Sequence, residues 1–433
     1  MHMREPFHHA RASFVSGTDT PRDYLERRLA RLQAVESTLR AFVTLDIGGA
    51  RREADAASER YRRGAPLSEV DGMPLGVKDV IETANLPTQM GSARFAGWTQ
   101  HRDAACVAAL RSGGAIALGK TVTTEFAFGA SGPTTNPLDA TRTPGGSSSG
   151  SAAAVAADIV PVALGTQEMG SLIRPASFCG VIGFKPSFGA LHQGGVHGVA
   201  PSQSHLGALA GSLQDLMAVC GRIADVAGGD PGFNPLRLPE AAAKPRRVGL
   251  LRTEAWARMD GASRDAFQQF VSGLDVEQVS LPDFERVAVG ALDVWSAICC
   301  WELRWPIAEY RDALGEDARR FLAMGESMTR AQYDAALARR RELRAEYQKL
   351  SAEIDAVLLP SALGPAPVGL ASTGRRDFNA FASGLGVPAI SLPLFEAGGL
   401  PVGVQLMGFA NEDARLLARA AWLLEATSSG ICR

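Results

Sequence analysis

No uninterrupted apolar run in this chain is long enough to cross a bilayer, which excludes an ordinary helical membrane protein. Charge of either sign is not in excess. A formal net charge of −2 offers no electrostatic footprint for nucleic acid or for an anionic membrane surface. Cysteine is sparse: Cys106, Cys179, Cys220, Cys299, Cys300 and Cys432 follow no metal-ligand spacing, and the adjacent Cys299 and Cys300 do not suit a disulfide framework. Reduced thiols in a cytoplasmic protein are the expectation. The opening MHMREPFHHARASF carries no apolar signal core, so no secretory leader is expected. No repeat of fixed period is present. Histidine also runs out early: the last of seven is His205, and the second half of the chain has none.

What the chain has is core material and alternating elements. With 46% hydrophobic and 21% charged residues over 433 positions, it can bury a large interior. YLERRLARLQAVESTLRAF has apolar positions near helical spacing, and ARREADAASERYRRG reads as a charged helix, so the first seventy residues are expected to be helical. Short apolar strand candidates follow, interleaved with helices: LGVKDVI, AIALGKTV, VIGF, RVGLLR, DAVLLP, PAISLPL and VGVQLM. That alternation predicts an α/β fold, one large domain whose mixed central sheet is covered by helices on both faces. A long helix with a solvated, Arg-rich face is expected between Met328 and Ile354. The aromatic stretch VWSAICCWELRWPIAEY, Val294 to Tyr310, reads as buried packing or as the lining of a pocket.

The densest information lies from Thr143 to Ser187, TPGGSSSGSAAAVAADIVPVALGTQEMGSLIRPASFCGVIGFKPS. Glycines and serines sit here between apolar segments, where backbone must turn sharply and hydroxyls and N–H groups can converge. Two simpler motifs fail. GAIALGKT (Gly114 to Thr121) fits the phosphate-loop pattern, but its AIAL is itself strand-like, and a core strand with Lys120 near its end is expected instead. GSSSG (Gly146 to Gly150) fits a nucleophile elbow centred on Ser148, but that chemistry needs a late histidine, which is absent. His192, His197 and His205 lack any recognised metal spacing and read as loop or pocket-wall residues.

The stretch resembles the amidase signature family of serine hydrolases, whose pattern runs through GGSS(G/S)GS to a GS before proline and an FCG-type ending. GMPLGVKDVIETANLPTQMGS (Gly72 to Ser92) is similar to the family's lysine segment, and GVPAISLPLFEAGGLPVGVQLMG (Gly386 to Gly408) to its C-terminal segment. The likeness runs from about Tyr24 to Leu424 and is weakest between Asp230 and Ala345. It implies an N-terminal helical segment over 1–70 packing on the core and a signature core over 71–229. A variable region over 230–345 would shape the pocket, and 346–433 would complete the same core.

By that resemblance the triad is Lys78, Ser147 and Ser171, with a cis peptide before the bridging Ser147. Ser171 attacks, Ser147 relays protons with Lys78, and the backbone N–H groups of Glu168, Met169, Gly170 and Ser171 form the oxyanion hole. The chemistry explains the residue types. A serine hydroxyl is a weak nucleophile until a base takes its proton. Lysine serves as that base only when neutral, so its pKa must fall from about 10.4 by roughly three, worth about 4 kcal/mol. Burial among Pro74, Leu75, Val77, Val80 and Ile81 can supply this. Losing one oxyanion donor typically costs about 3–4 kcal/mol of barrier.

The chain departs from the family pattern at Glu168 and Met169, where threonine and glycine are usual. Methionine restricts the turn, and a carboxylate near a developing oxyanion is unfavourable unless it points away or is paired. Altered specificity, slowing or loss of activity are all open. Arginine three residues after the nucleophile, Arg174, resembles the malonamidase and carboxybiuret hydrolase branch. It either clamps a substrate carboxylate, or pairs with a carboxylate such as Glu168, or holds the loop. The resemblance thus implies hydrolysis of a C–N bond in a small amide, carbamoyl or urea-like substrate, with ester cleavage as an accessory. It implies no cofactor or metal and no nucleic-acid or membrane partner. A homodimer or a small accessory subunit fits the family. A partner-dependent, amidotransferase-like homologue is the alternative.

Overall fold

The computed structural model describes residues 5–281 and 284–428; Cys432 therefore lies outside the described residues. Helices α1 (Phe7–Ser16), α2 (Pro21–Leu39) and α3 (Ile47–Arg62) open the chain, with strand β1 (Phe42–Leu45) between the last two. There follow β2 (Pro74–Lys78), α4 (Ala105–Ser112), β3 (Ile116–Thr121), α5 (Ser149–Ala156), β4 (Val162–Gln167), α6 (Ile173–Cys179) and β5 (Ile182–Lys185). Next come β6 (His205–Ala210), α7 (Leu213–Val226), β7 (Arg247–Leu250), α8 (Gly261–Ser272), β8 (Glu277–Ser280) and α9 (Phe284–Ala308). The chain continues through α10 (Glu316–Ser327), α11 (Arg330–Lys349), β9 (Ala356–Pro360) and α12 (Ala380–Leu385). It then runs through β10 (Ala389–Ala397), β11 (Leu400–Met407) and α13 (Asp413–Ser428).

The strands form one eleven-stranded sheet in the order β1-β3-β2-β4-β6-β5-β10-β11-β9-β7-β8. Pairs β2–β3, β2–β4, β7–β8 and β7–β9 are parallel and the rest antiparallel, so the sheet is mixed as expected. Alternation along each strand assigns the two faces. On β4, Val162 and Leu164 join a core with Val107 and Leu110 of α4 and Leu216, Val219 and Ile223 of α7. Ala163, between them, joins the opposite core with Leu25 and Leu29 of α2, Ala54 of α3 and Ala152–Val155 of α5. Covered on both faces, β2, β3 and β4 bury every residue, each beginning apolar and ending in polar side chains.

The first seventy residues are not helical throughout. Helix α2 stops at Leu39, Arg40 takes a left-handed φ of 52°, and Phe42–Leu45 pairs antiparallel with β3 as the sheet's edge. The arginine-rich helix is α11, opened by a capping box in which Thr329 and Gln332 satisfy each other's orphan groups. The candidate phosphate loop is strand β3, and Lys120 is buried against Asp79 at 3.1 Å. Among the described residues no helix is long and apolar enough to cross a membrane.

Candidate active site

Lys78 ends β2, between β3 and β4, with none of its surface exposed. Its Nζ donates to Ser147 Oγ at 2.7 Å and to Thr166 Oγ1, at the end of β4, also at 2.7 Å. Burial pushes the Lys78 amine down to about 7, against the opposing pull of the Glu168 carboxylate. Low pKa alone does not single it out. Lys185 is as buried and also falls to about 7, yet among the described residues its Nζ donates only to the carbonyls of Pro186 and Val387. Of the two, only Lys78 has hydroxyls that can accept or return a proton.

Ser147 lies in the turn entering α5, and the Gly146–Ser147 peptide is cis. The turn can sit close to the sheet because Gly150 has no side chain: a Cβ there would stand 2.1 Å from the Ala41 carbonyl and 2.4 Å from the Val122 nitrogen. Ser148 joins this turn to the next one, its N–H donating to the Ser171 carbonyl at 3.3 Å and its Oγ to the Thr166 carbonyl at 3.3 Å.

Ser171 stands between β4 and α6 and keeps 7% of its surface exposed. Gln167 fixes this turn, its Oε1 accepting from the N–H groups of Leu172 at 2.9 Å and Ile173 at 3.1 Å. Of the four expected oxyanion donors, the Glu168 N–H serves its own carboxylate, while those of Met169, Gly170 and Ser171 donate to no described residue, which leaves them able to receive a negative oxygen. Gly170 admits Asn379 against its backbone, since a Cβ there would approach that side chain to 2.7 Å.

Glu168 is turned aside and held. Its Oε1 accepts from Ser204 Oγ at 2.9 Å and from the Val199 N–H at 3.3 Å, and its main-chain carbonyl accepts from Trp295 Nε1 at 2.9 Å. Burial raises its carboxyl above the usual range while Lys78 opposes the rise, and Oε2 has no partner among the described residues. Met169 packs, half-buried, against the main core.

Arg174, on the first turn of α6, is buried and forms no ion pair with Glu168. Its Nη2 donates to the Gly146 carbonyl at 2.6 Å and to Thr373 Oγ1 at 3.0 Å, while Nε and Nη1 have no partner among the described residues. Burial, aided by the positive charge of Arg376, draws the guanidinium down to about 9. The arginine thus holds the peptide that precedes Ser147.

The three histidines lie apart in role. His205 is buried on β6 beside the Gln167 carbonyl, His197 Nε2 meets Glu82 at 3.0 Å, and His192 Nδ1 accepts from the Gly194 N–H. Among the described residues no three metal-ligating side chains gather. Sequence reasoning missed Thr166, Ser204, Trp295 and Asn379. Of these only Trp295 carried a signal, through the aromatic stretch that forms α9.

Comparison with known proteins shows the family and the fold. The family model described as Amidase matches residues 23–417. One Thermus thermophilus relative, a glutamyl-tRNA(Gln) amidotransferase subunit, is 35% identical over 97% of this chain and 97% of its own length. Among solved structures, one described as an amidase superposes with a TM-score of 0.86 at 30% identity, covering 97% of this chain and 99% of its own. An s-triazine catabolic enzyme solved as a protein complex also gives 0.86, at 29% identity and 98% of each chain. The matched length, the shared fold and a buried lysine on a serine at the head of a Gly/Ser turn place this chain in the amidase signature family.

Proposed function

We propose that the chain hydrolyses a C–N bond of a small amide through an acyl-enzyme on Ser171. The observation that carries this reading is the 2.7 Å bond from a fully buried Lys78 amine to Ser147 Oγ. Neutral Lys78 takes the Ser147 proton while Ser147 takes that of Ser171, and Ser171 Oγ attacks the carbonyl carbon. The N–H groups of Met169, Gly170 and Ser171 receive the oxyanion. When the C–N bond breaks, the relay returns its proton to the departing nitrogen. Water then attacks the ester by the same route, giving a carboxylic acid and ammonia or an amine. Esters would enter by the same intermediate. Arg174 keeps Ser147 in place, and its Nε and Nη1, buried and unpartnered among the described residues, are the groups that a carboxylate on the substrate would have to reach.

A small fluorophosphonate should add once to the wild-type protein by intact mass and not at all to Ser171→Ala. Absence of wild-type labelling with every probe size would remove the hydrolase reading. The relay also sets a pH limb. Lysine is the base only when deprotonated, so kcat/KM should rise through about pH 7 and level off above it. The Glu168 charge holds the Lys78 pKa up, so Glu168→Gln should move this limb to lower pH. A limb unmoved in Glu168→Gln would mean that the carboxylate does not act on Lys78.

The amidotransferase relative and the s-triazine enzyme solved in a complex favour a second reading, the same chemistry made dependent on a partner chain. Release of ammonia from small amides by the purified chain alone distinguishes the two, and the present reading expects it.

A further inference from the structure

A cavity of about 310 Å³ opens beside Val80, two residues beyond Lys78, walled by Phe95, Trp98, Phe126 and Tyr310 with Leu303 and Ile307 of α9. On the strength of the hydrolase reading, we propose that this cavity receives a neutral aromatic group of the amide substrate. Its walls hang directly from the catalytic segments. The His197 N–H donates to the Val80 carbonyl at 2.8 Å, and the Val80 N–H to the Lys78 carbonyl at 2.8 Å. Phe126 donates to the Met90 carbonyl, Met90 to the Asp79 carbonyl, and Thr124 to the Ser147 carbonyl at 3.3 Å. Gly198, also in the wall, precedes the Val199 N–H that holds Glu168.

The wall is built with strain. Met90, Phe126 and Ala127 all take left-handed φ values, 54°, 47° and 66°, unfavourable for residues with a side chain. Such conformations persist where surrounding bonds over-determine them, and they gather at binding sites. Here they hold Phe126 edge-on to Phe95 at 5.9 Å, while Phe95 meets Trp98 at 5.9 Å and Tyr310 at 5.0 Å, both edge-to-face. These rings are half-buried, so each still has surface to offer a ligand. A further ring can join by the same offset geometry.

Charge on the wall is already spent. His197 is bonded to Glu82, which Arg102 also holds at 2.7 Å, and burial keeps the imidazole below its ordinary range. The Arg94 guanidinium stands 5.7 Å from the Tyr310 ring, which disfavours a cationic ligand among these aromatics. The volume lies at the small end for ligand pockets and suits one ring system.

The test is binding to full-length Ser171→Ala, read by calorimetry and so independent of turnover. Phenylacetamide should bind about tenfold or more tightly than 3-methylbutanamide, and more tightly than malonamate or trimethylglycinamide. Leu303→Trp in the same background should fill the cavity and remove the aromatic advantage. Thermal melting checks that variant's fold, and Ile307→Phe replaces it if the fold is lost. Equal affinity for the ring and the aliphatic amide, preference for the cation, or an advantage that survives both filling variants would overturn the proposal. Failure of the hydrolase reading would instead appear as absent fluorophosphonate labelling of the wild type, with the ring preference judged separately.

Discussion

Lys78→Met should stop turnover and stabilise the fold in the same protein. The amine sits in a fully buried position at the end of a central strand, where burial lowers its pKa to about 7. In the unfolded chain the same amine titrates near 10.4, so between about pH 7 and 10.4 the unfolded state holds a proton that the folded state has released. Stability therefore rises with pH across that window, and at pH 7 the lysine carries a penalty of roughly 4 kcal/mol that has faded by pH 10. Methionine has similar length, no charge and suits an apolar strand. It leaves the hydroxyls of Ser147 and Thr166 without their donor, a loss of roughly 1 kcal/mol each. A net gain of about 1–3 kcal/mol remains at pH 7, seen as a melting temperature a few degrees higher. At pH 10 the gain should shrink or reverse. The kcat/KM should fall by about 10⁴ or more, since no other base among the described residues reaches Ser147. A variant less stable at pH 7 would mean that the lysine is held charged and paired, and the proton relay would fail with it. Stability and activity pulling apart at one residue is expected where a site depends on an unfavourable group.

The sequence made parts of this site legible for a physical reason. Ser147 and Ser171 lie in segments where glycine and serine interrupt apolar runs, a combination that neither a linker nor a core strand needs, while their roles and the choice of Lys78, inside a core strand, came through the resemblance to the amidase signature family. Partners that arrive through the fold left no such trace. Ser204 reaches the Glu168 carboxylate from 36 positions away and Trp295 reaches its main-chain carbonyl from 127, so the orientation of this residue depends on the turn before β6 and on α9 being built. The same holds for Arg174, whose position on the first turn of α6 points it at the Gly146 carbonyl rather than at Glu168.

Strands β1, β4, β6 and β8 were missed, three of them for an identifiable reason. VALGTQ, β4, begins apolar and ends in Thr166 and Gln167 because its last residues serve the site, which breaks the expected pattern. EQVS, β8, is an exposed edge strand whose hydrogen bonds to β7 need no apolar alternation. β1 lies hidden behind a helical pattern that the left-handed Arg40 terminates. The aromatic stretch is packed into α9 and also contributes to the wall of a cavity. Trp295, Cys299, Leu303 and Ile307 recur every four residues on one face of α9, the first two packed near Glu168 and Gln203 and the last two walling the cavity.

The two serines are expected to fail together rather than separately. Ser171→Ala removes the attacking oxygen and should lower kcat by about 10⁴–10⁶, leaving what binding and the N–H groups provide. Ser147→Ala keeps the nucleophile but breaks the connection to Lys78, whose described hydrogen bonds reach Ser147 and Thr166 and not Ser171. Its loss should be about 10²–10⁴, the range for a positioned proton carrier. If Ser147 acts only by passing the Ser171 proton to Lys78, removing it from a protein that already lacks Ser171 changes nothing further. The double variant should then match Ser171→Ala within about threefold, a strong departure from multiplicative effects. Multiplying losses would show that Ser147 contributes by another route, such as holding the substrate. The matching pH profile separates these cases. In Ser147→Ala the limb near pH 7 should disappear from the residual rate, because Lys78 no longer reports on the reaction. A surviving limb would require Lys78 to reach Ser171 through another carrier, and Thr166, bonded to the same amine at 2.7 Å, is the residue placed to be it.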